Sequence, residues 1–215
     1  EGSLSADVAD KLQIDGTVDS GDAVSIDGGA DAAVSGNLAA ETTLNTDVAG
    51  NLNVTGNIES GEALGLTSGG STQIDGGLNS GDTLDVTSGG ELTINGDITS
   101  EGSLSADVAD KLQIDGTVDS GDAVSIDGGA DATINGDLAA ETTLDTDAAG
   151  DLNVTGNIES GEALGLTSGG STQIDGGLDS GDKLDVTSGG ELTINGDITS
   201  EGSLSANVAD KLQID

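Results

Sequence analysis

The chain has 215 residues, with 41 acidic side chains against four lysines and a formal charge of −37. It contains no Phe, Tyr, Trp, Met, Cys, Pro, His or Arg. These absences exclude a disulfide framework, an ordinary thiolate or imidazole metal centre and a Ser–His or Cys–His catalytic triad. The charge repels nucleic acid and anionic membrane, and no apolar run approaches the ~18 residues that would cross a bilayer.

In chain order, the first twenty residues, EGSLSADVADKLQIDGTVDS, set a pattern that the rest repeats. Apolar and polar residues alternate over positions 4–6, 12–14 and 18–20, the period of strands with one buried face. Gly-rich breaks near positions 1, 9–10 and 16 separate them. The following units, GDAVSIDGGADAAVSGNLAA, ETTLNTDVAGNLNVTGNIES, GEALGLTSGGSTQIDGGLNS and GDTLDVTSGGELTINGDITS, keep the register. Position 4 is Leu or Val, position 14 Ile or Val, position 18 aliphatic, and position 16 is Gly from Gly16 to Gly196. Residues 101–200 then repeat residues 1–100, differing only at positions 33, 34, 35, 37, 45, 48, 51, 79 and 83, and residues 201–215 begin a third copy.

A 20-residue loop cannot bury its apolar edge alone, but stacked on its neighbours it buries a continuous aliphatic column. The expected fold is all-β: a right-handed parallel β-helix (β-solenoid) of 20 residues and three short strands per rung. At 215/20 = 10.75 rungs it forms one continuous array over residues 1–215. The right hand follows from the preference of parallel crossovers. Bulk trades between corners. Where position 6 is small (Ala6, Thr46), positions 8 and 12 are Val8, Val48, Leu12 and Leu52; where it is large (Ile26, Leu66), they are Gly28, Ser68, Ala32 and Thr72. Ala148 beside Thr146 breaks this compensation and predicts a small void in that rung.

Stacking turns sequence period into columns with the ~4.8 Å strand spacing, giving a rod roughly 52 Å long and about 0.7 charges per Å. That exceeds the ~0.6 per Å of double-stranded DNA. Two columns concentrate the charge. One corner places a single acid per rung at position 1 or 2: Glu1, Asp22, Glu41, Glu62, Asp82, Glu101, Asp122 and onward. Position 7 carries Asp7, Asp27 and Asp47, then Thr67 and Thr87, then Asp107, Asp127 and Asp147. Like charges directly opposite in a sheet are destabilising, and a divalent cation such as calcium, held by carboxylate oxygens, would offset them. The alternative is a solvated acidic face that keeps a β-rod soluble; a third reading is surface adaptation to a salt-rich source. The four Asn-to-Asp changes at 37, 45, 51 and 79 suit a diffuse ion atmosphere. Lys11, Lys111, Lys211 and Lys183 are expected to relieve repulsion. Catalysis has no supporting constellation, and Thr67 and Thr87 do not continue into the ladder that an ice-binding face needs.

Runs such as SGDTLDVTSGGELTINGDITSEGSL resemble the repeats of filamentous-haemagglutinin-like large exoproteins and related bacterial adhesin shafts. The shared features are the Leu-x-Val/Ile strand, the Gly-Gly corner, the Leu-x-Ile-x-Gly strand and turn, and the Ile-x-Ser return. The resemblance implies secretion and a structural role at or beyond the cell surface, in attachment, stalk or biofilm matrix, and it carries over no catalytic residue. The expected partners are further copies of the array, end on or bundled laterally, and divalent cations. The alternatives are a calcium-dependent adhesin binding module and a polymerising β-helix like the bactofilins. A start at position 1 and a stop at position 15, within a strand, suit an excerpt of a longer array.

Overall fold

The structure, a computed structural model, describes residues 2–215. Glu1, the first member of the corner column, lies outside the described residues. The first rung contributes β1 (Leu4–Val8), β2 (Leu12–Ile14) and β3 (Val18–Ser20), and the same three strands recur every 20 residues to β31 (Leu204–Val208) and β32 (Leu212–Ile214). Each strand pairs in parallel with its equivalents one rung before and after. The result is a β-solenoid with two 11-stranded sheets, A (positions 4–8) and B (positions 12–14), and a 10-stranded sheet C (positions 18–20). The described residues contain no helix.

The register is the one the 20-residue period demands: Leu64 pairs with Leu44 and Leu84, Ile74 with Val54 and Ile94, and Leu78 with Ile58 and Ile98. Period-two alternation therefore sends positions 4, 6, 8, 12, 14, 18 and 20 inward. The interior rungs bury these columns almost completely, with Leu44, Val48, Val54, Ile58 and Ile74 at 0% exposure. Short aliphatic side chains fill these columns, so an ordered core coexists with an aromatic-free composition.

The corners repeat as closely as the strands. Gly50, Gly70 and Gly90 each donate a backbone N–H to the carbonyl one rung earlier, at Ala30, Gly50 and Gly70. At position 16 the backbones of successive rungs touch. A Cβ on Gly36 would lie 2.7 Å from the Gly16 carbonyl, and one on Gly96 would lie 2.7 Å from the Gly76 carbonyl carbon. A side chain there needs the turn to move, so every complete unit carries glycine at this position.

Some inward columns are polar. Ser80 at position 20 is fully buried, and its Oγ lies 2.7 Å from the Glu62 carbonyl and 2.8 Å from the Thr83 carbonyl. Ser60, Ser120, Ser160 and Ser180 repeat the arrangement. Each serine clips the strand end to the following corner and to the rung before. Ser68 and Thr72 share a hydrogen bond of 2.7 Å inside the next corner. Thr46 and Thr146 differ: their hydroxyls are buried with no hydrogen-bond partner.

Candidate functional site

The acidic columns stand where the period places them. Asp7, Asp27 and Asp47 are in-register neighbours on the outer face of sheet A, as are Asp107, Asp127 and Asp147, and all six are exposed. Thr67 and Thr87 separate the two groups. Asp127, Asp145 and Asp147 surround a shallow depression left by Gly165. In the first hundred, Asn45 occupies the place of Asp145. Among the described residues, no group of three or more acidic side chains is arranged to hold a metal ion.

Coulomb's law sets the scale of the repulsion. Two carboxylates ~5 Å apart in water repel by about 0.8 kcal/mol, and physiological salt, with a Debye length of about 8 Å, weakens this further. A fully buried Leu or Ile stabilises by ~1.5–3 kcal/mol. The rung from Leu44 to Ile58 buries five aliphatic side chains: Leu44, Val48, Leu52, Val54 and Ile58. The repulsion between one pair of neighbouring acids is therefore smaller than the contribution of a single buried aliphatic side chain.

Two members of the corner column are held by hydroxyls. Asp122 accepts hydrogen bonds from Ser103 Oγ at 3.0 Å and Thr142 Oγ1 at 3.0 Å, and Asp22 accepts from Ser3 and Thr42 in the same way. Glu41, Glu62, Asp82 and Glu101 are exposed along the same edge. The switch between positions 1 and 2 staggers their side chains. All four lysines are paired: Lys11 with Asp31 at 3.0 Å, Lys111 with Asp131 at 3.4 Å, Lys211 with Glu191 at 2.8 Å, and Lys183 with Asp185. The backbone N–H of Asn51 and the Lys11 ammonium hold the Asp31 carboxyl below the usual carboxylate range. Asp131 is lowered by Asp151 N–H and Lys111, and Lys183 is raised by Asp185.

Two further columns run along the axis. At position 17, Asn37 Oδ1 accepts the backbone N–H of Asn57 at 3.0 Å, and Asn57 Oδ1 accepts that of Gly77 at 3.1 Å. Asp137 and Asn157 continue the series in the second hundred. At position 11, Asp31, Asn51 and Ser71 each accept the N–H of the residue one rung on. These ladders explain two of the Asn-to-Asp changes. Asn and Asp both offer an Oδ1 acceptor, so 37/137 and 51/151 exchange without breaking a bond. The sequence signal was the recurrence of Asn, Asp or Ser at corners, hidden within a generally polar composition.

Stacked 20-residue rungs with an aliphatic interior and acidic outer columns define a β-solenoid repeat protein. The family described as haemagglutinin repeat matches residues 1–56, 33–99, 92–156 and 139–213, and the chain belongs to it. No curated protein and no solved structure matches. Among the described residues, no helix is long and apolar enough to cross a membrane.

Proposed function

We propose that this chain is a segment of the shaft of an extracellular bacterial filament or adhesin, a stiff acidic spacer in attachment or biofilm matrix. The observation that carries the reading is the unbroken register of all three sheets within a haemagglutinin-repeat chain. A binding tip needs a local cluster of anchoring side chains, typically aromatic or Arg, and the composition contains neither. The axial strand and corner hydrogen bonds make length the property that rungs add. Cations, calcium among them, screen or bridge the acidic columns.

Antibodies raised against residues 101–200 should decorate fibres on intact source cells. Labelling that requires permeabilised cells would refute the extracellular reading. For the cation, melting is compared in calcium and in EDTA at matched ionic strength. A higher melting point in calcium supports site-bound ions, and identical curves leave only a diffuse atmosphere.

A further inference from the structure

Sheet B turns only its middle residue outward. That column reads Gln13, Ala33, Asn53, Gln73 and Thr93, and it continues uncharged through the second hundred. The outward columns of sheets A and C carry acids, such as Asp7 and Asp85 on A and Asp19 and Glu59 on C. The neutral stripe is flanked by columns 11 and 15, and no unit places an acid in both. Lys11 stands with Asp15, Asp31 with Ser35, Ser71 with Asp75, and Glu91 with Asn95. In the second hundred, Asp131 stands with Asn135 and Asp151 with Thr155. No residue of the three columns is buried.

We propose that this face joins two copies of the chain side by side, parallel and in register, about a two-fold axis running along the rods. Such an axis exchanges the two sides of the face, so column 11 of one copy meets column 15 of the other at the same level. Lys11, Lys111 and Lys211 then meet Asp15, Asp115 and Asp215 of the second copy, and symmetry doubles three ion pairs to six. Every acid in either column meets a lysine, a hydroxyl or an amide. One antiparallel register also avoids like charges, by setting Lys11 against Glu191 and Lys111 against Glu91, but it pairs each column with itself, so Asp15 and Asp115 meet Asn195 and Asn95 and no lysine. A strip about 13 Å wide and roughly 52 Å long covers about 680 Å² per copy, about 1,350 Å² in all, within the range of stable interfaces. Asn and Gln columns interdigitate well between facing parallel sheets. The inference goes beyond the shaft reading and does not depend on where the protein resides.

Sedimentation velocity and small-angle scattering test it. Both copies are strongly negative, so pairing should strengthen from low salt to about 0.15 M NaCl as the Debye length falls to about 8 Å. The cross-section should grow without a change in rod length. Lys11→Glu with Lys111→Glu and Lys211→Glu should weaken pairing at least about tenfold, and adding Asp15→Lys, Asp115→Lys and Asp215→Lys should restore it. The triple Asp7→Asn, Asp107→Asn, Asp127→Asn variant on sheet A should pair at least as tightly as the parent. In a chain without native cysteine, Gln13→Cys should cross-link to itself through a short bismaleimide, because parallel pairing juxtaposes identical rungs. Rods that stay monomeric up to about 1 mM, pairing indifferent to the lysine reversals, or Gln13→Cys linking only to cysteines placed in the rung of residues 181–200 would overturn the proposal.

Discussion

Replacing Val48 by Ala makes in the first hundred the change that the second already carries at position 148. Both side chains are at 0% exposure. The Val48 γ-carbons fill the space above Gly28, where an added Cβ would meet both at 3.6 Å. Above Gly128 the corresponding position is approached by Ala132 Cβ at 3.3 Å and Leu112 Cβ at 3.8 Å, and Ala148 is not among its three nearest neighbours. The methyls are thus gone and neighbours have partly closed in. Val48→Ala removes two methyl groups, at about 0.8 kcal/mol each for transfer plus a cavity contribution, so a loss of about 2–3 kcal/mol is expected. The converse, Ala148→Val, should gain only about 1 kcal/mol, because the closed-in neighbours must move back. Because a solenoid unfolds by coupled rungs, the assay is native-state hydrogen exchange resolved by rung, alongside denaturant melts. Val48→Ala should lower protection around residues 24–68 and leave residues 164–208 nearly unchanged. A cost below about 0.5 kcal/mol, the ordinary size of a surface substitution, would show that the interior is not close-packed and would refute the reasoning.

Thr46→Val and Thr146→Val remove buried hydroxyls that have no partner, at nearly constant shape. Each should stabilise by about 1–2 kcal/mol in denaturant melts, and a loss would mean that the hydroxyl is bonded in solution. Asn57→Asp keeps the acceptor for Gly77 N–H and should change stability little, whereas Asn57→Ala should cost about 1 kcal/mol and speed exchange of that amide. Asp31 has a lowered carboxyl, so its contribution is present above the ordinary carboxylate value and is lost as pH falls through the folded value. The stability difference between the parent and Asp31→Asn should therefore vanish in strong acid. Its persistence there would detach the effect from the Lys11 pair. The gain is small at so exposed a site.

The fold was legible because two periodicities coincide in every unit. Alternation at Leu64–Leu66, Thr72–Ile74 and Leu78–Ser80 identifies strands and their inward faces, and the spacing of 20 identifies each strand's partner. Once both are known, the neighbours of Asp27 follow by arithmetic, and the structure pairs it with Asp7 and Asp47. The bonding of corner side chains was not legible in that way. Nothing in the letters at 37, 57 and 77 says that an Oδ1 aims at the next backbone N–H, because that depends on the turn's shape. The Asn-to-Asp changes looked like indifference to ligand chemistry, and at 37 and 51 they preserve a specific acceptor. Ser80 was hidden for a related reason: alternation marks it as inward, but only the corner geometry supplies the two carbonyls within reach of its hydroxyl.

These ladders also bear on what a chain so charged can do. A globular domain closes its hydrogen bonds around one centre, so enlarging it changes every layer. Here each rung bonds only to the rungs before and after, through strands, through corners such as Gly70 to Gly50, and through side chains such as Asn51 to Ser71. Adding a rung adds about 4.8 Å of length, a fixed share of core and a fixed share of repulsion, while the cross-section stays constant. The acids are exposed on the faces and edges, and their repulsion, screened beyond about 8 Å, falls mainly on neighbouring rungs and does not accumulate along the rod. A strongly acidic surface and an array of arbitrary length are therefore compatible, and the same surface keeps rods apart wherever it is unmatched. The neutral stripe of sheet B matters for that reason. Among the outward columns of the three sheets, those of A and C carry acids that repel their own kind, and the uncharged column of B is where face-to-face contact between copies costs least.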